Sequence, residues 1–180
     1  PDFITPYLTY QLYKLIMQKL FFGILFSTLI AILPTSSNAQ SPLILGAYNK
    51  KTSPEKTVCM QIYGRQFKQV LSMQYTLKWD TKLLKYKSVQ GFGLPNLSEQ
   101  NFGKTQTNEG LLTFSWFDQQ LRGISKADGT VLYEVCFEVV GEAGQQTYLE
   151  FINEPTLIEV SIAPGLLIDL KTEGSKLEIR

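Results

Sequence analysis

The strongest constraint on this chain is a two-residue rhythm. Over residues 72–79, apolar Met73, Tyr75, Leu77 and Trp79 alternate with polar Ser72, Gln74, Thr76 and Lys78. Only an extended strand sends successive side chains to opposite faces in this way. The rhythm recurs with Val58, Met60 and Ile62 against Cys59 and Gln61, and with Leu84 and Tyr86 against Lys85 and Lys87. It returns with Leu112, Phe114 and Trp116 against Thr113, Ser115 and Phe117, and with Val131, Tyr133, Val135, Phe137 and Val139 against Glu134, Cys136 and Glu138. Further short strands are predicted over 147–152, 166–170 and 176–179, and helical periodicity nowhere lasts beyond a turn. Asp80-Thr81-Lys82 and Asp128-Gly129 are turn signals. Residues 91–110, rich in Gly, Asn and Ser, are too long for a hairpin and read as a crossover between sheets. The expected fold is all-β: a single antiparallel β-sandwich of about nine strands with jelly-roll topology.

The domain is preceded by a different kind of sequence. Residues 20–33 form an apolar run, followed by Pro34 and by Ser37 and Ala39 at the spacing a signal peptidase reads. The run is short for a membrane span of about twenty residues. We therefore expect a cleaved signal peptide over 17–39 and no membrane association after cleavage. Met17 is a plausible start, which makes 1–16 an upstream or mis-annotated leader. Residues 40–56 lack periodicity and read as a flexible leader, so the folded domain is expected over 57–180. A chain exported in this way is secreted or held at the cell surface.

Composition then removes function classes. Hydrophobic residues make up 44% of the chain against 18% charged, enough for a core. Histidine is absent, which excludes Ser-His-Asp and Cys-His catalysis and disfavours a zinc site. Net charge is +1, which argues against nucleic acid. The balance hides an asymmetry: residues 40–104 carry ten Lys/Arg and three acids, and residues 105–180 five Lys/Arg and twelve acids. Cross-strand pairing, for example of Lys78 with Glu134 or Glu138, is the ordinary outcome of such a split. Asp118 and Asp128 flank one loop, but nothing in the spacing sets them at the separation glycoside hydrolysis needs. The reading is a non-enzymatic domain with no cofactor and no metal, expected to be monomeric.

The order of segments TVCMQIYG, MQYTLKWDTKLLKYKSV, GLLTFSWFD, DGTVLYEVCFEVVG and GSKLEI resembles a cohesin-type domain. The form is the one carried by exported proteins of Bacteroidetes-like bacteria, within the carbohydrate-binding-module-like sandwiches. The most specific pieces are Trp79-Asp80 with Leu83-Leu84, and 128–137. The resemblance implies a non-catalytic module binding a protein partner, dockerin-like or another surface protein, in adhesion or scaffolding. A polysaccharide-recognition module acting in polysaccharide catabolism, or a structural spacer, are the alternatives. The resemblance also implies a partner-binding sheet on which Phe117, Ser115 and Thr113 lie beside Lys85, Lys87, Tyr148 and Glu150. Phe114 and Trp116, by alternation, belong to the core rather than to a sugar-stacking platform. Cys59 and Cys136 suggest a disulfide in an exported protein. On the implied strand order, however, the Met73-to-Trp79 strand separates them by about 9.6 Å, beyond the usual limit of about 7 Å, and the pairing stays open.

Overall fold

The computed structural model describes Tyr10, residues 12–15, Met17 and residues 41–180. The chain divides into two compact units, 1–39 and 40–180. In the first, the described residues are helical. Apart from Met17, the expected signal segment lies outside the described residues.

The second unit is a two-sheet sandwich. One sheet has the order β12 (Leu170–Glu173), β1 (Leu43–Ala47), β3 (Thr57–Arg65), β8 (Thr130–Val139), β5 (Leu84–Gln90). The other runs β11 (Leu166–Ile168), β10 (Glu159–Ile162), β4 (Val70–Lys78), β9 (Gln146–Ile152), β13 (Ser175–Ile179), β2 (Lys50–Thr52). In this second sheet β7 (Leu111–Phe117) pairs with β4, and β6 (Phe102–Gly103) pairs with β7. Strands thus outnumber the nine expected. The excess comes largely from terminal strands that change sheets, β1 into β2 and β12 into β13, so that β1 pairs in parallel with β12 in one sheet and β2 with β13 in the other. Such switches make the corners of a sandwich.

The flexible leader expected over 40–56 is not what forms. Leu43, Leu45 and Ala47 are buried, and β1 lies between β3 and β12. Its sequence, LILGA, is apolar throughout, so it lacks the alternation by which a half-exposed strand is recognised. Gly46 is required there, because a side chain would meet the Tyr63 ring lying over it.

Alternation predicts most of the core; the exception is the start of β8, where a register shift opposite Ile62 and Tyr63 buries Leu132 in place of the expected Val131. Met73, Tyr75, Leu77 and Trp79 face inward from β4, and Phe114 and Trp116 face inward from β7. Their partners across the sandwich include Tyr133, Val135 and Phe137 of β8. Two fully buried hydroxyls satisfy each other across the sheets, Tyr75 Oη lying 2.7 Å from Tyr133 Oη. Burial pushes both phenols well above the ordinary tyrosine range, so both stay protonated. The indole N–H groups of Trp79 and Trp116 donate to the carbonyls of Leu84 and Pro95. Phe114 stacks between Tyr75 and Tyr133 at 4.8 and 5.2 Å, packing that is favourable beyond area burial. The crossover of 91–110 does join the two sheets, from β5 to β7.

β3 and β8 are immediate neighbours, with Cys59 opposite Cys136. The strand β4, expected between them, lies in the other sheet. The cysteines form a disulfide, with Cα atoms 3.9 Å apart. The same strand order rules out Lys78 as a partner of Glu134 or Glu138. Glu138 is instead 3.8 Å from Lys85.

Candidate functional site

The sandwich presents two outer faces, and they differ in how far their side chains satisfy one another. On the five-stranded sheet, Glu134 accepts hydrogen bonds from Gln61 and Gln90, both at 2.8 Å. These bonds, Gln90's first, hold its carboxyl below the ordinary glutamate value against the opposing effect of burial. Glu173 accepts from Tyr63 at 2.6 Å and pairs with Arg65, while Tyr48 packs on Tyr63 with centroids 4.4 Å apart. Burial and the Glu173 bond raise the Tyr63 phenol. Among the described residues, the group of Cys59, Glu134 and Cys136 has the spacing of metal ligands, but its sulfurs are tied to each other.

Lys85 and Lys87 belong to this face, not to the one carrying Phe117. β5 is the edge of the five-stranded sheet, and Lys87 Nζ donates to Thr57 Oγ1 at 2.9 Å. The resemblance-based grouping is therefore split. Phe117, Ser115, Thr113, Tyr148 and Glu150 share the second sheet's outer face, while the two lysines lie on the opposite side of the molecule.

The second face is built in rows across the strands. Leu167, Ser161, Ser72 and Phe117 share one row. The next holds Glu159, Gln74 and Ser115, and further along come Ile152, Thr76 and Thr113, then Glu150, Lys78 and Leu111. The β4–β10 side of this face closes on itself. Ser72 Oγ lies 2.7 Å from Ser161 Oγ, Gln74 donates to Glu159 at 2.6 Å, and Thr76 exchanges hydrogen bonds with the backbone of Thr156. The β7 edge and the Lys78 end do not close. Phe117 is 57% exposed and Tyr148 49%. Among the described residues, Lys78 and Glu150 sit opposite each other without an ion pair. Tyr148 lies two residues beyond Glu150, so it stands roughly 27 Å along the strands from the Phe117 row at about 3.4 Å per residue. The two aromatics therefore do not make one stacking platform.

The carboxylates considered for hydrolysis have other work. Asp118 is buried beside β7 and accepts amide hydrogen bonds from Gln120, Arg122 and Gly123 at 3.0–3.1 Å. Burial raises its pKa, but these bonds outweigh it and hold the carboxyl below the usual aspartate value. Asp128 accepts from the Gln66 amide at 2.8 Å. Both organise turns. Sequence reading missed Leu121 and Leu167, since neither lies in an alternating segment; both are 72% exposed.

Comparison with known proteins agrees with this architecture. A family model described as the Cohesin domain matches residues 47–162. A type I cohesin of Clostridium thermocellum, solved in complex with a dockerin, superposes with a TM-score of 0.66 at 12% identity, covering 78% of this chain and 100% of that one. The seventh ScaB type I cohesin of Pseudobacteroides cellulosolvens gives 0.62 at 15% identity, covering 77% and 92%. A non-cellulosomal cohesin of the archaeon Archaeoglobus fulgidus gives 0.59 at 18% identity, covering 78% and 92%. No curated protein matches the sequence significantly. The chain belongs to the cohesin family, whose members are non-catalytic protein-binding modules.

Proposed function

We propose that this protein is an exported attachment module that binds a protein partner, dockerin-like or another surface protein, through the outer face formed by β4, β7, β9 and β10. One observation carries the choice of face: its exposed Phe117 and its unpaired Lys78 row stand ready for a partner, whereas the opposite face is occupied by its own disulfide, ion pairs and packed tyrosines. The solved Clostridium thermocellum relative was captured with a dockerin, which supports a protein as the ligand class. Export is supported by the signal-like segment and by the disulfide, a bond that persists in oxidising compartments.

The test is a pull-down with the purified protein against the secreted proteins of the producing cells and a panel of insoluble polysaccharides. Retention of a specific protein, lost in Phe117→Ala and kept in a Lys85→Ala/Lys87→Ala protein, is the expected outcome. Retention on a glycan alone would move the protein to polysaccharide recognition, and retention of nothing would favour a spacer.

A further inference from the structure

We infer that the closed face carries a redox-gated metal site: once the Cys59–Cys136 bond is opened, the two thiolates and the Glu134 carboxylate hold one thiophilic divalent ion of the zinc and cadmium type. The site lies on the outer face of the five-stranded sheet, on the opposite side of the sandwich from the proposed partner surface, and does not depend on that surface being the one used.

The strand register places the three side chains. Cys59 of β3 lies directly opposite Cys136 of β8, and Glu134, two residues earlier on β8, falls on the same face as Cys136. The two sulfurs and a carboxylate oxygen all lie within 4.8 Å of one another. Among the described residues, no other three cysteine, aspartate or glutamate side chains bring their ligand atoms so close. Cys136 is buried, whereas Cys59 and Glu134 are half-buried, so the group can be reached from solvent. The ladder between β3 and β8 extends to both sides of the cysteines, from Thr57 to Gly64. The backbone therefore keeps the three groups together when the sulfur bond is open.

The surroundings are those of a ligand set. Carboxylates that bind metals are oriented by hydrogen-bond donors behind them. Gln61 donates to one oxygen of Glu134 and Gln90 to the other, each at 2.8 Å. The carboxylate is thereby fixed in place while each oxygen keeps a free lone pair. The Gln90 amide also reaches Cys59 Sγ at 3.7 Å, so one side chain supports two of the three ligands.

Charge and softness select the occupant. With the disulfide closed, the group carries only the Glu134 charge. Opening it takes two electrons and two protons from a dithiol, which is itself oxidised to a disulfide. Two thiolates and a carboxylate this close repel one another, and a divalent ion among them relieves the repulsion. Its binding releases the two thiol protons to solvent. Thiolate donors favour zinc-like ions over calcium and magnesium, which take oxygen ligands. Three protein ligands leave a four-coordinate ion one position for water. Reoxidation to the disulfide removes two ligands and expels the ion.

The test uses the full chain, reduced without oxygen by a phosphine, which becomes its oxide with an oxygen from water. The reduced protein is titrated with Cd²⁺, and the ultraviolet thiolate-to-cadmium charge-transfer band reports binding. Expected are saturation at one ion per chain, displacement by Zn²⁺, a higher melting midpoint of the reduced protein with the ion, and no band from the oxidised protein. Glu134→Gln should keep the fold and weaken Cd²⁺ binding by roughly tenfold or more. Fluorescence of the buried Trp79 and Trp116 follows the fold throughout. Should reduction unfold the chain, Zn²⁺ is expected to restore the buried-tryptophan spectrum, and failure to do so overturns the inference. An absent band, an equal band from the oxidised protein, or Glu134→Gln binding as tightly as the parent overturns it as well.

Discussion

On the five-stranded sheet, nearly every outward polar side chain has a partner within the domain: Glu134 with two glutamines, Glu173 with Tyr63 and Arg65, Lys85 with Glu138, Lys87 with Thr57. On the second sheet, only the β4–β10 side is paired in this way, and the chain leaves Phe117 and Tyr148 half in solvent. The two faces are built from the same alternating strands. The contrast therefore lies in what stands opposite what: a face whose groups satisfy each other has little to offer a partner, while one with open ends can exchange water for protein contacts at modest desolvation cost.

Breaking the closed face should have the largest effect on stability. The disulfide closes a loop across 77 residues of sequence separation, and Cys59→Ser/Cys136→Ser should lower stability by about 4 kcal/mol on the chain-entropy model. A thermal melt with and without reductant would show it, and partner retention should survive below the lowered midpoint.

Next is the core between the faces. Tyr75→Phe or Tyr133→Phe leaves one hydroxyl buried alone and should cost about 2 kcal/mol. The double variant should cost less than the sum of the two, because it removes both partners; denaturant unfolding of all four proteins measures the coupling.

On the open face, Phe117→Ala should weaken partner binding at least tenfold and change stability by less than about 0.5 kcal/mol. Lys85→Ala/Lys87→Ala should change neither quantity appreciably, and a loss of binding there would erase the distinction between the faces.

The smallest effect concerns acid. Glu134 has a depressed carboxyl pKa in the folded protein, owing first to the Gln90 bond and then to Gln61. Its contribution is therefore complete above the unfolded glutamate pKa and is lost as pH falls through the lower folded value. Glu134→Gln should flatten the decline in melting temperature below about pH 4.3, the ordinary glutamate value. An unchanged decline would assign acid sensitivity elsewhere.

The sequence by itself determined which side chains of the clear strands turn inward, except at the start of β8, where a register shift exchanges Leu132 for Val131. Met73, Tyr75, Leu77 and Trp79, Phe114 and Trp116, and the exposure of Phe117, Tyr148 and Glu150 all follow from an alternation that is local to each strand. It determined the all-β class for the same reason, and it failed at β1, where a wholly apolar strand has no alternation to read. Only the tertiary structure decided which strands are neighbours. Strand pairing is made by backbone groups common to every residue and joins segments far apart in the chain, so a strand's own pattern says nothing about its partner. For that reason Cys59 met Cys136 against expectation, Lys85 and Lys87 went to the closed face, and Phe117 and Tyr148 ended at opposite ends of the open one.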